Sequence, residues 1–176
     1  MKTFGQEDQR HIEVAIAWLK LSKKNHQEAS EELWQINPRF RKHPRFLHIW
    51  WHICSKAGNL DASLEIAKQR LEVDPNDGPS WSDLSWTLHR MGKTQEALDS
   101  LWAVKGRFPR YDLIPHNLTC YLCVLGRIEE ARVWMRRTLE VAAKEGEEAK
   151  RRQRMLDDPE LEPLWPDLKA LECLPD

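Results

Sequence analysis

Residues 91–109 read MGKTQEALDSLWAVKGRFP. Gly92 has a glycine 34 positions before it, Gly58, and another 34 positions after it, Gly126, in a chain with only seven glycines. Counting outward at that interval gives three windows, 44–77, 78–111 and 112–145. The middle one carries Trp81, Leu84, Leu88, Gly92, Ala97, Leu101 and Pro109. Leu118, Leu122, Gly126, Ala131, Met135 and Thr138 hold matching places in the third, and Leu47, Trp50, Cys54, Gly58, Ser63, Ala67 and Pro75 in the first. A fixed period is read before anything else, because it decides the architecture.

Each window holds two stretches with apolar residues at spacings of 3 and 4, the pattern of an amphipathic helix. The glycine falls between them, where a left-handed C-cap belongs. Asp74-Pro75 and Phe108-Pro109 stop the second helix, since proline cannot continue it. Small residues at Ala97 and Ala131 let the paired helices approach. One such hairpin cannot bury its apolar face alone, but stacked hairpins can. A fourth, degenerate unit lies at 10–43, with Ile16, Ala17, Ala29, Leu33 and Ile36. Lys24 stands there in place of the glycine, and the early Pro38 lengthens the exit loop INPRFRKHP. After residue 143 the period ends. KEGEEAKRRQRMLDD reads as a polar capping helix, and cap and C-terminal tail together take 146–176. In DPELEPLWPDLKALECLPD, Leu161, Leu164, Trp165, Leu168 and Leu171 keep helical spacing, so the segment is expected to fold back on the last repeat.

The 176 residues are 41% hydrophobic and 31% charged, which suits one domain, 1–176, with a real core. A net charge of −1 provides no global field toward nucleic acid or membrane. The longest apolar run, Val14 to Leu19, falls far short of the roughly 20 residues of a membrane span. MKTFGQEDQRH has no apolar leader region. Cys54, Cys120, Cys123 and Cys173 are too few and too irregular for a disulfide framework, so a reduced cytoplasmic protein is expected. No G-x-S-x-G, P-loop, G-x-G-x-x-G or H-E-x-x-H occurs, and neither catalysis nor a cofactor is expected.

The 34-residue windows resemble the tetratricopeptide repeat (TPR), whose pattern is W-x2-L-G-x2-Y, then A, F and P. The resemblance implies an all-α fold: a right-handed α-solenoid of about four TPR helical hairpins with a C-terminal capping helix. It implies that the first helix of each repeat lines a concave groove. Carried over residue by residue, the groove line takes Trp18 and Ser22 from the first unit. Arg45, His48, His52 and Lys56 follow in the next, then Ser82, Trp86, His89 and Arg90, then His116 and Cys120. With Trp18 and Trp86 as aromatic anchors, this face suits an acidic or aromatic peptide. If the histidines engage an acidic partner, binding should strengthen as pH falls through about 6.5. The Lys/Asn clamp of TPR proteins that grip chaperone tails is missing, since His48, His52, Val14 and Trp18 stand in its places. Only Asn117 matches in kind.

His116, Cys120 and Cys123 project from one helical face. His116 and Cys123 are about 10.5 Å apart along a straight helix at 1.5 Å per residue, too far for one zinc ion. A metal would need Cys120, one neighbour and ligands from another repeat, such as His89; none is expected. Two basic clusters remain. One is Arg39, Arg41, Lys42 and Arg45; the other includes Arg132, Arg136, Arg137, Arg151 and Arg152. They suit an anionic protein or lipid surface, whereas nucleic acid is excluded because stacking aromatics do not alternate with these charges. Trp34 and Trp102 hold equivalent places on second helices, where exposure would mark a partner surface.

A closer resemblance lies in IPHNLTCYLCVLGRIEEARVWM and LDDPELEPLW. These stretches are similar to a group of small bacterial TPR proteins, among them the bacterial kinesin light chain encoded beside bacterial tubulins. That implies a noncatalytic accessory of bacterial tubulin filaments, whose surfaces are acidic. A generic peptide-groove adaptor and a peripheral membrane-binding module using Arg39, Arg41 and Lys42 stand beside it.

Overall fold

The computed structural model describes residues 3–21 and 25–171; Ser22, Lys24 and Cys173 lie outside them. Every regular element among the described residues is helical. The chain forms two compact units, Met1–Ser80 and Trp81–Asp176.

The first unit holds α1 (Gln6–Leu21), α2 (His26–Leu33), a 3-10 turn (Pro38–Phe40), α3 (Pro44–Lys56), α4 (Leu60–Val73) and the first turn of α5 (Gly78–Arg90). Helix α1 packs on α2 and α3, and α3 on α4. The loop INPRFRKHP is built by its prolines. Pro38 opens the 3-10 turn, with the Asn37 side chain accepting from the Arg39 N–H. Pro44 opens α3, with His43 Nδ1 accepting from the Arg45 N–H. Proline fits there because the first helical N–H groups have no partner in the helix. Ile12, Ala15, Leu33, Phe46, Ile49 and Ile66 form part of the core.

The second unit holds the rest of α5, α6 (Thr94–Trp102), α7 (Leu113–Val124), α8 (Ile128–Lys144), α9 (Glu148–Leu156), a 3-10 helix (Pro159–Leu164) and α10 (Trp165–Ala170). Helix α7 is packed by α6, by α8 and by the 3-10 helix. That enclosure explains its nearly unbroken apolar sequence, with Ile114, Leu118, Tyr121 and Leu122 all buried. Leu161, Leu164 and Leu168 are fully buried, so the C-terminal segment is seated in this unit's core. Each such leucine contributes about 1.5–3 kcal/mol of apolar burial.

The repeat is visible in backbone and packing alike. Gly92 has φ 79°, and its N–H donates to His89 C=O at 2.9 Å while Lys93 N–H reaches Leu88 C=O at 3.0 Å. This is the Schellman closure of α5. Gly58, Gly126 and Gly146 close their helices with the same pair of bonds. Ala29, Ser63, Ala97 and Ala131, spaced by the same interval, are all fully buried. Gly146 stands outside the 34-residue interval and corrects one expectation. Its φ of 71° breaks KEGEEAKRRQRMLDD, so α8 runs on to Lys144 and a separate α9 begins at Glu148.

Candidate functional site

In the first unit, α3 carries Arg45, His48, His52 and Lys56 at successive turns. Two of them tie α3 to α1. Arg45 Nη1 donates to Gln9 Oε1 at 2.8 Å, and Lys56 Nζ donates to the Leu19 carbonyl at 2.6 Å. His48 and His52 meet edge-on, with ring centroids 4.6 Å apart. His48 borders a cavity of about 310 Å³ lined also by Pro44, Arg45, Arg70, Asp77 and Ser80. Arg70 is buried and donates to Asp77 Oδ2 at 3.0 Å. The same oxygen accepts from Ser80 N–H at 3.1 Å and from the Ser80 hydroxyl, capping α5. His48 Nδ1 is buried with no hydrogen-bond partner. Trp18, on α1, is half-buried.

Burial lowers the pKa of His48, and the nearby Arg70 charge lowers it further. Burial takes His52 down to about 4, helped by His48, Arg70 and Lys56. His52 therefore stays neutral in the free chain well below pH 6.5, and an acidic partner that raised its pKa would bind more tightly as pH falls toward 4.

In the second unit the corresponding face is not open. Its own C-terminal segment lies across α5 and α7. Glu160 Oε1 and His89 Nε2 pair at 2.9 Å, while His89 Nδ1 meets Thr94 Oγ1 at 3.1 Å. Asp158 caps the 3-10 helix, accepting Glu160 N–H on Oδ1 at 3.0 Å. Its Oδ2 lies 4.0 Å from His116 Nε2 and 3.8 Å from Cys120 Sγ. Asn117 Nδ2 donates to Ser82 Oγ at 3.0 Å, and Tyr121 O–H donates to Ser85 Oγ at 3.2 Å, joining α7 to α5. What remains is a cavity of about 220 Å³ bordered by Trp86, His89, Arg90, Asn117 and Glu160. Trp86 carries the Arg90 guanidinium 5.8 Å from its ring centroid.

Burial, then Arg151, holds His116 down at about 4, against the opposing pull of Asp158. Burial and the two carboxylates push the Cys120 thiol well up. A protonated, enclosed thiol is a poor nucleophile, so Cys120 is not poised for covalent chemistry. One groove assignment needs correction: Ser82 is buried under Asn117 and does not line an open groove, whereas Cys120, mostly covered by Asp158, keeps an edge on the 220 Å³ cavity. Asp158 and Glu160 went unrecognised as site residues. The sequence signal was only Asp-Pro at the head of an apolar segment, a cap pattern that does not say where the segment docks.

The basic residues are partly used up by the fold. Arg39 stacks on Phe40 at 4.6 Å and Arg41 on Trp34 at 4.3 Å, while Lys42 is exposed. Arg136 is exposed; Arg137 pairs with Glu140 at 3.1 Å and Arg152 with Glu148 at 3.8 Å. Arg151 is not a surface residue. It is buried, and its Nε donates to Asp112 Oδ2 at 2.9 Å, joining α9 to the start of α7. Trp102 lies edge-on to Trp134 at 5.8 Å, with Lys105 Nζ 3.7 Å above its ring centroid. No helix among the described residues is long and apolar enough to cross a membrane.

Solved structures resemble this arrangement over most of its length. A thermophilic TPR protein of Thermus thermophilus, TTC0263, matches with a TM-score of 0.67 at 15% identity, covering 93% of this chain and 96% of its own. The fold is that of a tetratricopeptide-repeat protein. MamA AMB-1 matches with a TM-score of 0.62 at 19% identity, covering 96% of this chain and 93% of its own. MamA MSR-1 matches with 0.61 at 16%, covering 77% and 76%. No protein-family profile matches the chain, and no curated protein does. At these identities the likeness fixes the TPR fold and leaves the partner to be argued from the faces themselves.

Proposed function

We propose that the chain is a noncatalytic TPR adaptor whose first unit binds an acidic segment of a protein partner across α1 and α3. One observation carries the reading. The second unit already holds such a segment in cis, with Asp158 against His116 and Glu160 on His89. His48 occupies in α3 the repeat position that His116 occupies in α7, and it borders an open cavity with Arg45 and Arg70 beside it. A carboxylate entering there meets the Arg45 guanidinium, and it competes with Asp77 for Arg70; charge-assisted hydrogen bonds in such a partly desolvated setting are strong. Trp18 supplies an aromatic edge on the same unit.

The finer reading is that the acidic partner is a bacterial tubulin filament. It is supported by the I-P-x-N-L-x-C-Y and D-D-P-x-L-E-P-L-W stretches. Co-sedimentation with assembled bacterial tubulin filaments tests it, with wild type compared to Arg45→Ala/His48→Ala. Wild type should pellet and the variant should stay in the supernatant. If wild type does not pellet, the filament reading fails. The adaptor reading then rests on binding of a fluorescent oligoglutamate peptide. That binding should be lost in the same variant and weakened by salt, and it fails if the variant binds equally well.

A further inference from the structure

The sequence excluded a metal on α7 because Cys123 lies too far from His116. The structure supplies a different third ligand. His116 and Cys120 are one turn apart on α7, with Nε2 and Sγ separated by 3.8 Å. Asp158 Oδ2 lies 3.8 Å from that sulfur and 4.0 Å from that nitrogen. The three atoms make a nearly equilateral triangle. A tetrahedral centre over that face (the mean side divided by about 1.63) lies about 2.4 Å from each corner, within a few tenths of an ångström of zinc bond lengths of about 2.3 Å to sulfur and 2.0–2.2 Å to nitrogen and oxygen. His116, Cys120 and Asp158 also form a ligand-competent cluster by mutual distance.

We propose that His116 Nε2, Cys120 Sγ and Asp158 Oδ2 form a binding site for a borderline-soft divalent cation of the zinc class. The donor set selects that class. Imidazole and thiolate favour zinc and cobalt, whereas magnesium and calcium take oxygen ligands. The charges balance: on binding, Cys120 gives up its proton to solvent, and thiolate plus carboxylate cancel the dication. Asp158 is held ready, because its Oδ1 accepts the Glu160 N–H and leaves Oδ2 facing the helix. The fourth position opens on the 220 Å³ cavity, where water or Glu160 completes a tetrahedron. Two ligands belong to α7 and the third to the C-terminal segment, so the ion would rivet that segment to the groove face of the second unit. Metal would thereby strengthen a hold that the buried leucines already provide. The inference stands whether or not the first unit binds an acidic partner.

Cobalt(II) titration of the full chain tests it, read as a thiolate-to-cobalt charge-transfer band together with the visible bands of tetrahedral cobalt. Wild type should bind one equivalent at micromolar cobalt, and zinc should bleach the spectrum. Cys120→Ser should lose the charge-transfer band, and Asp158→Asn should weaken binding by more than tenfold. Cys123→Ser and Cys54→Ser should bind like wild type. Because ligand variants also alter packing, the second readout is the wild-type melting temperature. It should rise with zinc, and His116→Gln should abolish the rise. No charge-transfer band in wild type, or an unchanged band in Cys120→Ser, overturns the site and leaves a weak S–H···O contact between Cys120 and Asp158.

Discussion

The two units place one histidine each, His48 and His116, at the same repeat position and surround them differently. In the first, His48 borders an open cavity with Arg45, Arg70 and Asp77, and His52 lies near Arg70 and Lys56. In the second, His89 and His116 face Glu160 and Asp158, delivered by a segment that lies outside the 34-residue period. The repeat scaffold alone does not decide whether the histidine-bearing face of a first helix is free. A short acidic strip with three buried leucines occupies one face, and the other keeps an open cavity lined by Arg45 and Arg70 together with Asp74 and Asp77. Each unit also carries one largely enclosed ion pair. Arg70–Asp77 borders the open cavity, whereas Arg151–Asp112 joins α9 to α7 in the unit with the covered face.

The difference predicts graded responses. The largest concerns the segment's anchor. Leu161→Ala should destabilise the chain by about 2–5 kcal/mol, as expected for a fully buried leucine, in denaturant unfolding. A cost below about 0.5 kcal/mol, typical of surface positions, would mean that the face is not covered. Asp112→Ala should follow at about 3 kcal/mol, because it strands the buried Arg151 guanidinium. Gly58→Ala and Gly92→Ala should each cost about 1–2 kcal/mol and nearly the same as each other, since both hold positive φ with open space around the missing Cβ. Unequal costs would show that the two hairpin turns are not equivalent.

Next comes pH. His52 and His116 have folded pKa values near 4, below the unfolded value of about 6.5. The unfolded chain therefore binds protons first as pH falls. Stability is highest above about 6.5 and declines as pH drops from there toward 4. A melting temperature flat over that window would contradict the burial of both rings. An acidic ligand on the first unit should lift the pKa of His52 and shrink the decline. Smallest of all, Glu160→Gln should cost less than about 1 kcal/mol, because the Glu160 side chain is 38% exposed.

Much of the fold was legible because it is local and periodic. Gly92 and its partners, the small residues at Ala97 and Ala131 and the stop at Pro75 each have a mechanism that acts within one hairpin, whereas Pro109 does not stop α6, which already ends at Trp102. Gly146 escaped because it breaks the period, and with it went the separation of α8 from α9. The site was harder to read. His48, His89, His116 and Cys120 could be placed on first helices, but covered and open faces differ only through Asp158 and Glu160. Glu160 lies 71 residues from its partner His89, and Asp158 lies 38 from Cys120. Nothing in helical spacing encodes where an aperiodic segment docks. Arg151 misled for a related reason: a charge amid Lys150, Arg152 and Arg154 reads as solvated until the fold brings Asp112 beneath it.

The most direct test is to titrate a synthetic LDDPELEPLW peptide, the sequence of residues 156–165, into the full chain and follow the imidazole signals by NMR. The account predicts saturable shifts at His48 and His52, with His89 and His116 unmoved because their face is already held in cis. Shifts confined to His89 and His116, or none at any histidine, would contradict it.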